Sequence, residues 1–374
     1  MEPSLYIHIP FCRRKCIYCN FYSCIYDAST AASLVDILIG QLKELSARVY
    51  SIYVGGGTPS VLDIRMLGRL LSGLKKFSIT SGEFTVEANP ESLDDDRIKL
   101  FLDSGVNRLS IGLQSFNERK LKKLGRIHTA AKGAGAVELA HKRGFKDISV
   151  DLIFGVWDEK AESWKDELDQ AARLPITHVS CYELTYEKDT PLFAAAANKS
   201  VMPLSDEINA AMYGAAIDLL SLRGFKQYEV SNFAKGGYES KHNRNYWDNN
   251  SYIGLGPSAV SYLDGERSRN VSDIKEYAER SGAGKPLAES SERLSPIRSA
   301  KETAAVKIRT KDGIDFDWFD RRTGFDFLKL ENKALPKLLE EGLIKYKKYN
   351  NISAGVCLKR KGFLFCDTVS SALL

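Results

Sequence analysis

The sequence predicts an α/β protein in which a large domain built on a parallel sheet is followed by a smaller, mainly helical domain. The chain has 374 residues, 44% of them hydrophobic, which is enough for one large core and a second, smaller one. Short β-rich runs alternate with amphipathic segments through its first half. Such alternation is typical of β-α-β units, whose parallel strands are covered by helices on both faces.

Runs rich in β-branched and aromatic residues predict six strands, at Leu5–Ile9, Ser51–Val54, Phe84–Glu87, Arg108–Gly112, Ile148–Phe154 and His178–Leu184. Amphipathic patterns between the strands predict helices at 29–48, 61–77, 93–104, 129–144 and 161–173. Strands and crossover helices of this kind fit either a doubly wound sheet or a barrel-like sheet. In both cases a ligand binds at the carboxyl ends of the strands.

The pattern changes in the second half of the chain. A helix is predicted at 204–223, and Ser281–Pro296 has the Gly, Ser, Pro and charge content of a linker. Helical segments then precede a hairpin formed by Gly342–Tyr346 and Val356–Leu358 around Asn350-Asn351. This is the element order of a winged helix, a shape that serves DNA binding as well as protein packing, so the fold alone does not decide its role.

Composition and charge disfavour several classes of protein. No stretch approaches the roughly 20 apolar residues of a membrane span, and Met1-Glu2-Pro3 leads into the first strand without the basic and apolar regions of a secretory signal. The 53 basic and 48 acidic residues give a net charge of +5, which favours anionic ligands without demanding nucleic acid. The 7 cysteines are too sparse, and odd in number, for a disulfide framework. We therefore expect a protein of the reducing cytoplasm.

Cys12, Cys16 and Cys19 follow the first predicted strand and are the most informative residues of the chain. Fe–S clusters are held by thiolates, and three cysteines on a four-iron cluster leave one iron open to a small molecule. Structural zinc is the first alternative, but it takes four ligands, usually as two separated pairs. The remaining cysteines form no second pair of that kind and no His-x3-His follows them, so a zinc site is the less favoured interpretation.

Glycine-rich and polar residues fall at the same end of successive predicted strands. Gly55-Gly56-Gly57-Thr58 follows the second strand, Glu87 ends the third, Gln114 follows the fourth and Asp151 lies in the fifth. Because the carboxyl ends of parallel strands meet at one edge, we expect these residues to converge with the cysteines on one rim. A glycine run there lets backbone amides approach a ligand closely, although a glycine run alone equally fits a tight turn.

These motifs together carry a family resemblance. Cys12–Cys19 resembles the CxxxCxxC motif of the radical S-adenosylmethionine (SAM) enzymes, and the chain as a whole resembles the oxygen-independent coproporphyrinogen III oxidase-like family. The resemblance extends through GGGTPS at 55–60, VEANPES at 86–92, RLSIGLQSF at 108–116, LGRIH at 124–128, DLIFG at 151–155, YEVSNFA at 228–234 and GFLFCDTVSSALL at 362–374.

The resemblance implies a fold and a domain organisation. The fold is a partial (β/α)6 radical-SAM barrel with a smaller carboxyl-terminal, helical or winged-helix-like domain. The expected domains are the barrel at 1–200, a family-specific extension packing on the barrel at 201–285, and the winged-helix-like domain at 286–374.

The resemblance also implies a [4Fe-4S] cluster ligated by Cys12, Cys16 and Cys19. The fourth iron would take the amino and carboxylate groups of SAM, whose reductive cleavage gives a 5′-deoxyadenosyl radical. The residues expected to contact SAM are Tyr6, Tyr18, Gly56, Gly57, Thr58, Glu87, Gln114, Arg126 and Asp151. Tyr18 would pack on adenine, Glu87 would meet the ligand amino group, and Arg126 could hold a carboxylate in bidentate fashion. Core aromatics and ordinary ion pairs or hydrogen bonds are the alternatives.

Two features separate the branches of this family. The oxidases are understood to carry a further cysteine where this chain has Phe21, and an extension before the first strand, which we do not expect here. His242–Trp247 fits the HNxxYW motif of a haem chaperone branch. There His242 would be a haem axial ligand, and Tyr246 and Trp247 would offer flat apolar surface. A hydrogen-bonded structural histidine is an equal alternative.

The resemblance therefore favours a haem chaperone-like radical SAM protein that delivers haem to apoproteins, including membrane-associated ones. It would receive electrons from a donor such as flavodoxin or ferredoxin. The alternative is the enzyme, an oxidase that converts coproporphyrinogen III to protoporphyrinogen IX by oxidative decarboxylation. A DNA-binding regulator acting through the winged helix is disfavoured, because a near-neutral charge predicts weak phosphate binding, and no nucleic acid partner is expected.

Overall fold

A twelve-stranded sheet dominates the protein in a computed structural model that describes residues 2–349 and 352–374. The strands are β1 (Ser4–Ile9), β2 (Phe11–Cys12), β3 (Cys24–Ile25), β4 (Arg48–Val49), β5 (Ile52–Gly56), β6 (Ser78–Ile79), β7 (Phe84–Ala88), β8 (Arg108–Gln114), β9 (Asp147–Phe154), β10 (His178–Glu183), β11 (Lys226–Gln227), β12 (Asn232–Ala234), β13 (Tyr252–Leu255), β14 (Val260–Leu263), β15 (Glu266–Asn270), β16 (Ala288–Arg293), β17 (Ile314–Asp315), β18 (Ile344–Tyr349) and β19 (Ile352–Leu358).

The α-helices alternate with the first strands and then cluster towards the carboxyl end. They are α1 (Ala28–Glu44), α2 (Ile64–Leu74), α3 (Asp95–Asp103), α4 (Glu118–Leu124), α5 (Ala130–Arg143), α6 (Ala161–Arg173), α7 (Pro191–Ala197), α8 (Asp206–Leu222), α9 (Lys241–Trp247), α10 (Ile274–Gly282), α11 (Pro296–Lys307), α12 (Phe316–Thr323), α13 (Phe327–Leu330), α14 (Ala334–Glu340), α15 (Arg360–Leu364) and α16 (Cys366–Ala372).

The large sheet has the strand order β11-β12-β10-β9-β8-β7-β5-β1-β13-β14-β15-β16. The run from β10 to β1, and the pairing of β1 with β13, are parallel, whereas the outer strands pair antiparallel. Helices connect successive parallel strands, as β-α-β units require. The predicted α/β class with a parallel sheet is confirmed, and the carboxyl ends of these strands form one edge.

The strands divide their side chains between two environments, because successive residues of a strand point to opposite faces. In β1, Leu5, Ile7 and Ile9 are completely buried and belong to the large hydrophobic core. Tyr6 lies on the other face of β1, and Tyr53 is its register partner in β5. One face of the sheet therefore holds the helices, and the other carries polar and aromatic groups.

Local signals explain where the flanking helices begin. Asp27 precedes α1 and its carboxylate accepts a hydrogen bond from the Thr30 amide, which satisfies one of the free amides of the first turn. Asn117 caps α4 in the same way, through the amides of Arg119 and Lys120. The sequence patterns did not predict α4, because it is a short helix of 7 residues.

The second half of the chain extends the sheet and then forms a separate small sheet. The small sheet has the strand order β17-β19-β18. Along the chain, α11 precedes β17, and α12, α13 and α14 lie between β17 and β18. This is a winged-helix-like succession of helices and hairpin. The predicted hairpin turn at Asn350-Asn351 lies outside the described residues.

The predicted linker Ser281–Pro296 is corrected by the structure. Its residues Ala288–Arg293 form β16, which pairs antiparallel with β15 and is mostly exposed. A polar sequence of this kind resembles a loop, but it also suits an edge strand whose side chains are in water.

The domain boundaries at 200 and 285 stay a prediction. None of the helices in the described residues combines the length and the apolar character needed to cross a bilayer.

Candidate functional site

A cavity of about 430 Å³ opens at the carboxyl ends of the parallel strands. Most of the residues predicted for the site line it: Cys12, Cys16, Tyr18, Cys19, Gly56, Gly57, Thr58, Glu87, Gln114, Arg126 and Asp151. They come from six successive parts of the chain, which lie in or directly after a strand except for Arg126, which follows α4. Convergence of this kind is the physical feature that makes the cavity the candidate site.

Cys12 ends β2, and Cys16 and Cys19 lie on the loop between β2 and β3, which closes back on itself. Cys24 donates its amide to the Pro10 carbonyl at 2.7 Å, and Tyr26 donates to the Cys12 carbonyl at 2.9 Å. All three cavity thiols are half-buried. Burial raises the pKa of Cys12 to about 11, and it also raises the pKa of Cys19.

The donor set formed by these thiols fits a polynuclear cluster. In the part of the chain that the structure describes, no group of three or more His, Cys, Asp or Glu residues is placed to hold a single metal ion. Thiolates that each ligate a different iron need not meet at one point. Thiols of raised pKa stay protonated until a metal displaces the proton, so loading the site would release protons.

The glycine run packs closely against the first strand. Gly56 has a φ of +113°, and a Cβ atom there would lie 2.6 Å from the His8 ring. Gly57 donates its amide to the Ile9 carbonyl at 2.9 Å, and Thr58 donates to the Phe11 carbonyl at 2.8 Å. These amides are therefore bonded within the protein, and the glycines are needed for close approach of two backbone segments.

Gly56→Ala is expected to lower the free energy of unfolding by about 1–3 kcal/mol, because it combines an unfavourable backbone angle with overpacking against His8. Urea unfolding would measure the change. Gly135→Ala is the control, since this glycine lies inside α5 and a Cβ atom there would have no neighbour within 4 Å, and alanine should raise stability by up to about 1 kcal/mol. Equal stability of the two variants would contradict the packing argument.

Two half-buried carboxyl groups also line the cavity. Glu87 accepts hydrogen bonds from the Tyr53 hydroxyl at 2.6 Å and from the Gly56 amide at 3.0 Å. Burial raises the pKa of Glu87 to about 7, and the nearby Asp151 acts in the same direction. Burial likewise raises the pKa of Asp151, although the side chains of Ser180 and Ser110 act to lower it. A cationic ligand that enters the cavity would lower the pKa of these carboxyls and favour their ionised form, with the protons released to solvent.

Arg126 joins the cysteine loop to the strand ends. Its guanidinium donates to the Asn89 side-chain oxygen at 2.5 Å and to the Gly112 carbonyl at 2.8 Å, and it lies 3.6 Å from the Cys16 sulfur. Asn89 in turn donates to the Thr58 hydroxyl at 2.7 Å. Both of these hydrogen bonds come from Nη2, so one of the two nitrogens that a bidentate carboxylate clamp would use is engaged within the protein.

Gln114 has an uncommon backbone conformation. Its φ is +64°, and the pairing of β8 with β9 shifts register between Ile111 and Gln114. A left-handed conformation is costly for a residue with a side chain, and bulges of this kind commonly reorient side chains next to active sites. The strand continues through this irregularity, which is why it extends past the predicted end at Gly112.

A buried ion network contacts the residues that directly follow Gln114. The Lys120 ammonium contacts Glu159 at 2.5 Å and Glu167 at 3.1 Å, and the three side chains are at most 5% exposed. Glu167 also accepts from the Ser115 hydroxyl at 2.6 Å and from the Phe116 amide at 2.9 Å. Glu159 accepts from the Val156 amide at 3.0 Å. The network fastens the loops that follow β8 and β9 to α4 and α6.

Tyr6 and His242 do not line the cavity. The Tyr6 hydroxyl lies 3.0 Å from His8 Nδ1. The His242 ring is 1% exposed, with Nδ1 2.7 Å from the Ser51 hydroxyl and Nε2 3.1 Å from the Tyr246 hydroxyl. Burial lowers the pKa of His242 to about 3. This ring is enclosed and both of its nitrogens have hydrogen-bond partners, so its haem-ligand role stays a prediction.

Several cavity residues were not chosen from the sequence: Arg14, Lys15, Asn20, Phe21, Ser23, Ala88, Asn89, Ser110, Gly112, Ile153, Tyr182, Glu183, Leu184 and Thr185. Asn89 and Glu183 both lie where a strand ends, which is a signal that the sequence offered. Ser110 lies inside β8, and it reaches the cavity only because its side chain points to the cavity face of the sheet.

The fold and one family comparison define the class of the protein. The model of the Radical SAM superfamily matches residues 6–171. The solved structure of coproporphyrinogen III oxidase (HemN) from Escherichia coli has a TM-score of 0.84, covering 100% of this chain and 90% of that one at 20% identity, which shows a shared fold. The protein is a radical SAM protein with a HemN-like fold.

Curated relatives narrow the class. The heme chaperone HemW of Lactococcus lactis is 36% identical over 346 residues, covering 91% of this chain and 90% of the relative. HemW of Bacillus subtilis is 32% identical over 380 residues, covering 99% of each. HemW of Escherichia coli is 38% identical over 279 residues, covering 72% of this chain and 73% of the relative. The chain belongs to the HemW family.

Proposed function

We propose that this protein is a haem chaperone that binds a [4Fe-4S] cluster, SAM and haem, and delivers haem to apoproteins. The observation that supports it most is the cavity whose lining combines three thiols, two half-buried carboxyls and an arginine. The names of the HemW relatives supply the haem part of the proposal.

The proposed roles follow the positions of the side chains in the cavity. Cys12, Cys16 and Cys19 hold the cluster, which, when bound, supplies an electron for cleavage of a sulfonium carbon–sulfur bond. Arg126, 3.6 Å from the Cys16 sulfur, places a positive charge next to the proposed cluster.

The remaining predicted residues are proposed to hold SAM. Tyr18 packs on its adenine, Gly56, Gly57 and Thr58 border its methionine end, and Gln114 meets the polar groups of the ligand. Glu87 and Asp151, whose pKa values burial raises, ionise to balance the positive sulfonium and amino groups. Tyr6 does not contact the ligand in this proposal. Its ring packs beside that of Tyr53, and it helps to position the Tyr53 hydroxyl that donates to Glu87.

The proposed partners are haem or a related porphyrin, haem-accepting apoproteins that include membrane-associated ones, and an electron donor such as flavodoxin or ferredoxin. The domains proposed to serve these roles are the barrel at 1–200, the extension at 201–285 and the winged-helix-like part at 286–374.

An anaerobic assay of the reconstituted protein tests the proposal. With SAM, a reductant and coproporphyrinogen III, we expect no protoporphyrinogen, because Phe21 stands where the oxidases carry a further cysteine. The same preparation loaded with haem should transfer it to an apoprotein such as apomyoglobin, followed by the Soret band. Turnover of coproporphyrinogen without haem transfer would establish the oxidase and overturn the chaperone.

A further inference from the structure

The mouth of the cavity combines apolar surface and positive charge. Phe21, at the end of the cysteine loop, is 68% exposed although it is a large apolar residue, and Tyr182, at the end of β10, is 43% exposed. Both line the cavity, as do the exposed side chains of Arg14 and Lys15. An exposed aromatic side chain on the same loop as two exposed cations forms a recognition surface that a structural role does not explain.

The charges at this mouth are not neutralised by the protein. Among residues 2–349 and 352–374, no carboxylate forms an ion pair with Arg14 or Lys15. The acidic residue at the end of β10, Glu183, accepts a hydrogen bond from Asn209 at 2.8 Å, and burial raises its pKa. The cations are therefore free for a ligand that brings its own carboxylates.

We propose that haem docks at this mouth, with its macrocycle against Phe21 and Tyr182 and its two propionates on Arg14 and Lys15. The proposal rests on the proposed function, because it assumes that the chain binds haem. Haem is a flat apolar ring with two carboxylates at one edge, and this combination matches aromatic faces next to an arginine and a lysine. The enclosed His242 ring, by contrast, would have to give up a hydrogen bond and become exposed to reach an iron.

Recognition of this kind depends on the ring and the carboxylates and does not require iron. Metal-free protoporphyrin IX should therefore bind the protein within about threefold of the haem affinity. Its dimethyl ester, which lacks both carboxylates, should bind at least tenfold more weakly. If haem binding instead depended on His242 as an axial ligand of the iron, metal-free protoporphyrin IX would bind much more weakly than haem.

Variants at the mouth test the contacts directly, with binding followed by tryptophan quenching and by the porphyrin absorption bands under anaerobic conditions. Phe21→Ala should weaken haem and metal-free protoporphyrin at least fivefold. The double variant R14Q/K15Q should weaken protoporphyrin tenfold or more and leave the dimethyl ester unchanged. Arg13→Gln is the matched control, because Arg13 is an exposed cation of the same loop that does not line the cavity, and it should leave both affinities unchanged.

The outcomes are distinguishable. If the unaltered protein does not bind haem, the proposed function fails. If it binds haem but Phe21→Ala and R14Q/K15Q bind equally well, the location at the mouth is wrong while the chaperone stands. If R14Q/K15Q instead slows reduction of the cluster by flavodoxin at unchanged haem affinity, the basic surface belongs to the electron donor and the proposal is overturned. Iron content and the unfolding midpoint of each variant should match those of the unaltered protein, since all four substituted side chains are exposed.

Discussion

Lys120→Met is expected to lower the free energy of unfolding by about 3–5 kcal/mol, a large part of the stability of a typical domain. The change removes the cation that lies between Glu159 and Glu167, and it leaves two carboxylates buried together without a counter-charge. Urea or thermal unfolding of the purified protein would measure the loss. Lys122→Met provides the control, because Lys122 is an exposed residue of the same helix, and its change should stay within about 0.5 kcal/mol.

The same network allows a rescue experiment. Replacing all three charges, as Lys120→Met with Glu159→Gln and Glu167→Gln, removes the buried charges altogether and should recover much of the lost stability. A glutamine at 167 can still accept from the Ser115 hydroxyl. If the triple variant is no more stable than Lys120→Met, the loss comes from packing against Trp164, over whose ring the ammonium lies at 5.1 Å, and the electrostatic explanation fails.

Cys16→Ser is expected to abolish the visible absorbance of the anaerobically reconstituted protein and to reduce its iron to a small fraction of the unaltered level. A hydroxyl is a poor substitute for the thiolate that Fe–S clusters require. Iron analysis and the absorption spectrum measure the effect.

Cys24→Ser is the matched control for this experiment. Cys24 is also half-buried and lies next to the same loop in β3, but it does not line the cavity. It should therefore keep its iron. Full iron content in Cys16→Ser, or equal losses in the two variants, would contradict the assignment of the cluster to the cavity thiols.

The sequence predicted the six strands β1, β5, β7, β8, β9 and β10 well, because each is a short apolar run bounded by a polar or glycine-rich segment. It also predicted that Glu87, Gln114 and Asp151 would converge, because parallel strands present their carboxyl ends at one edge. That convergence depends only on chain direction and strand order. Neither depends on the details of side-chain packing.

What the sequence did not predict depends on contacts between distant residues. Arg126 donates to Asn89, 37 positions away, so the guanidinium is held inside the site in a way that a motif cannot reveal. The burial of His242 depends on Ser51, 191 positions away. The left-handed conformation of Gln114 is equally invisible, because glutamine has no preference for it.

The polar strand β16 has a consequence for the solution behaviour of the protein. A sheet of this size exposes unpaired backbone groups at its last strand, and such groups can recruit a second chain into edge-to-edge aggregates. Here that last strand has the sequence Ala288-Glu-Ser-Ser-Glu-Arg293, and the opposite edge is β11, with only 2 residues. Charged and hydroxyl side chains on one edge, and shortness on the other, let a twelve-stranded sheet end in water without adding further copies of itself.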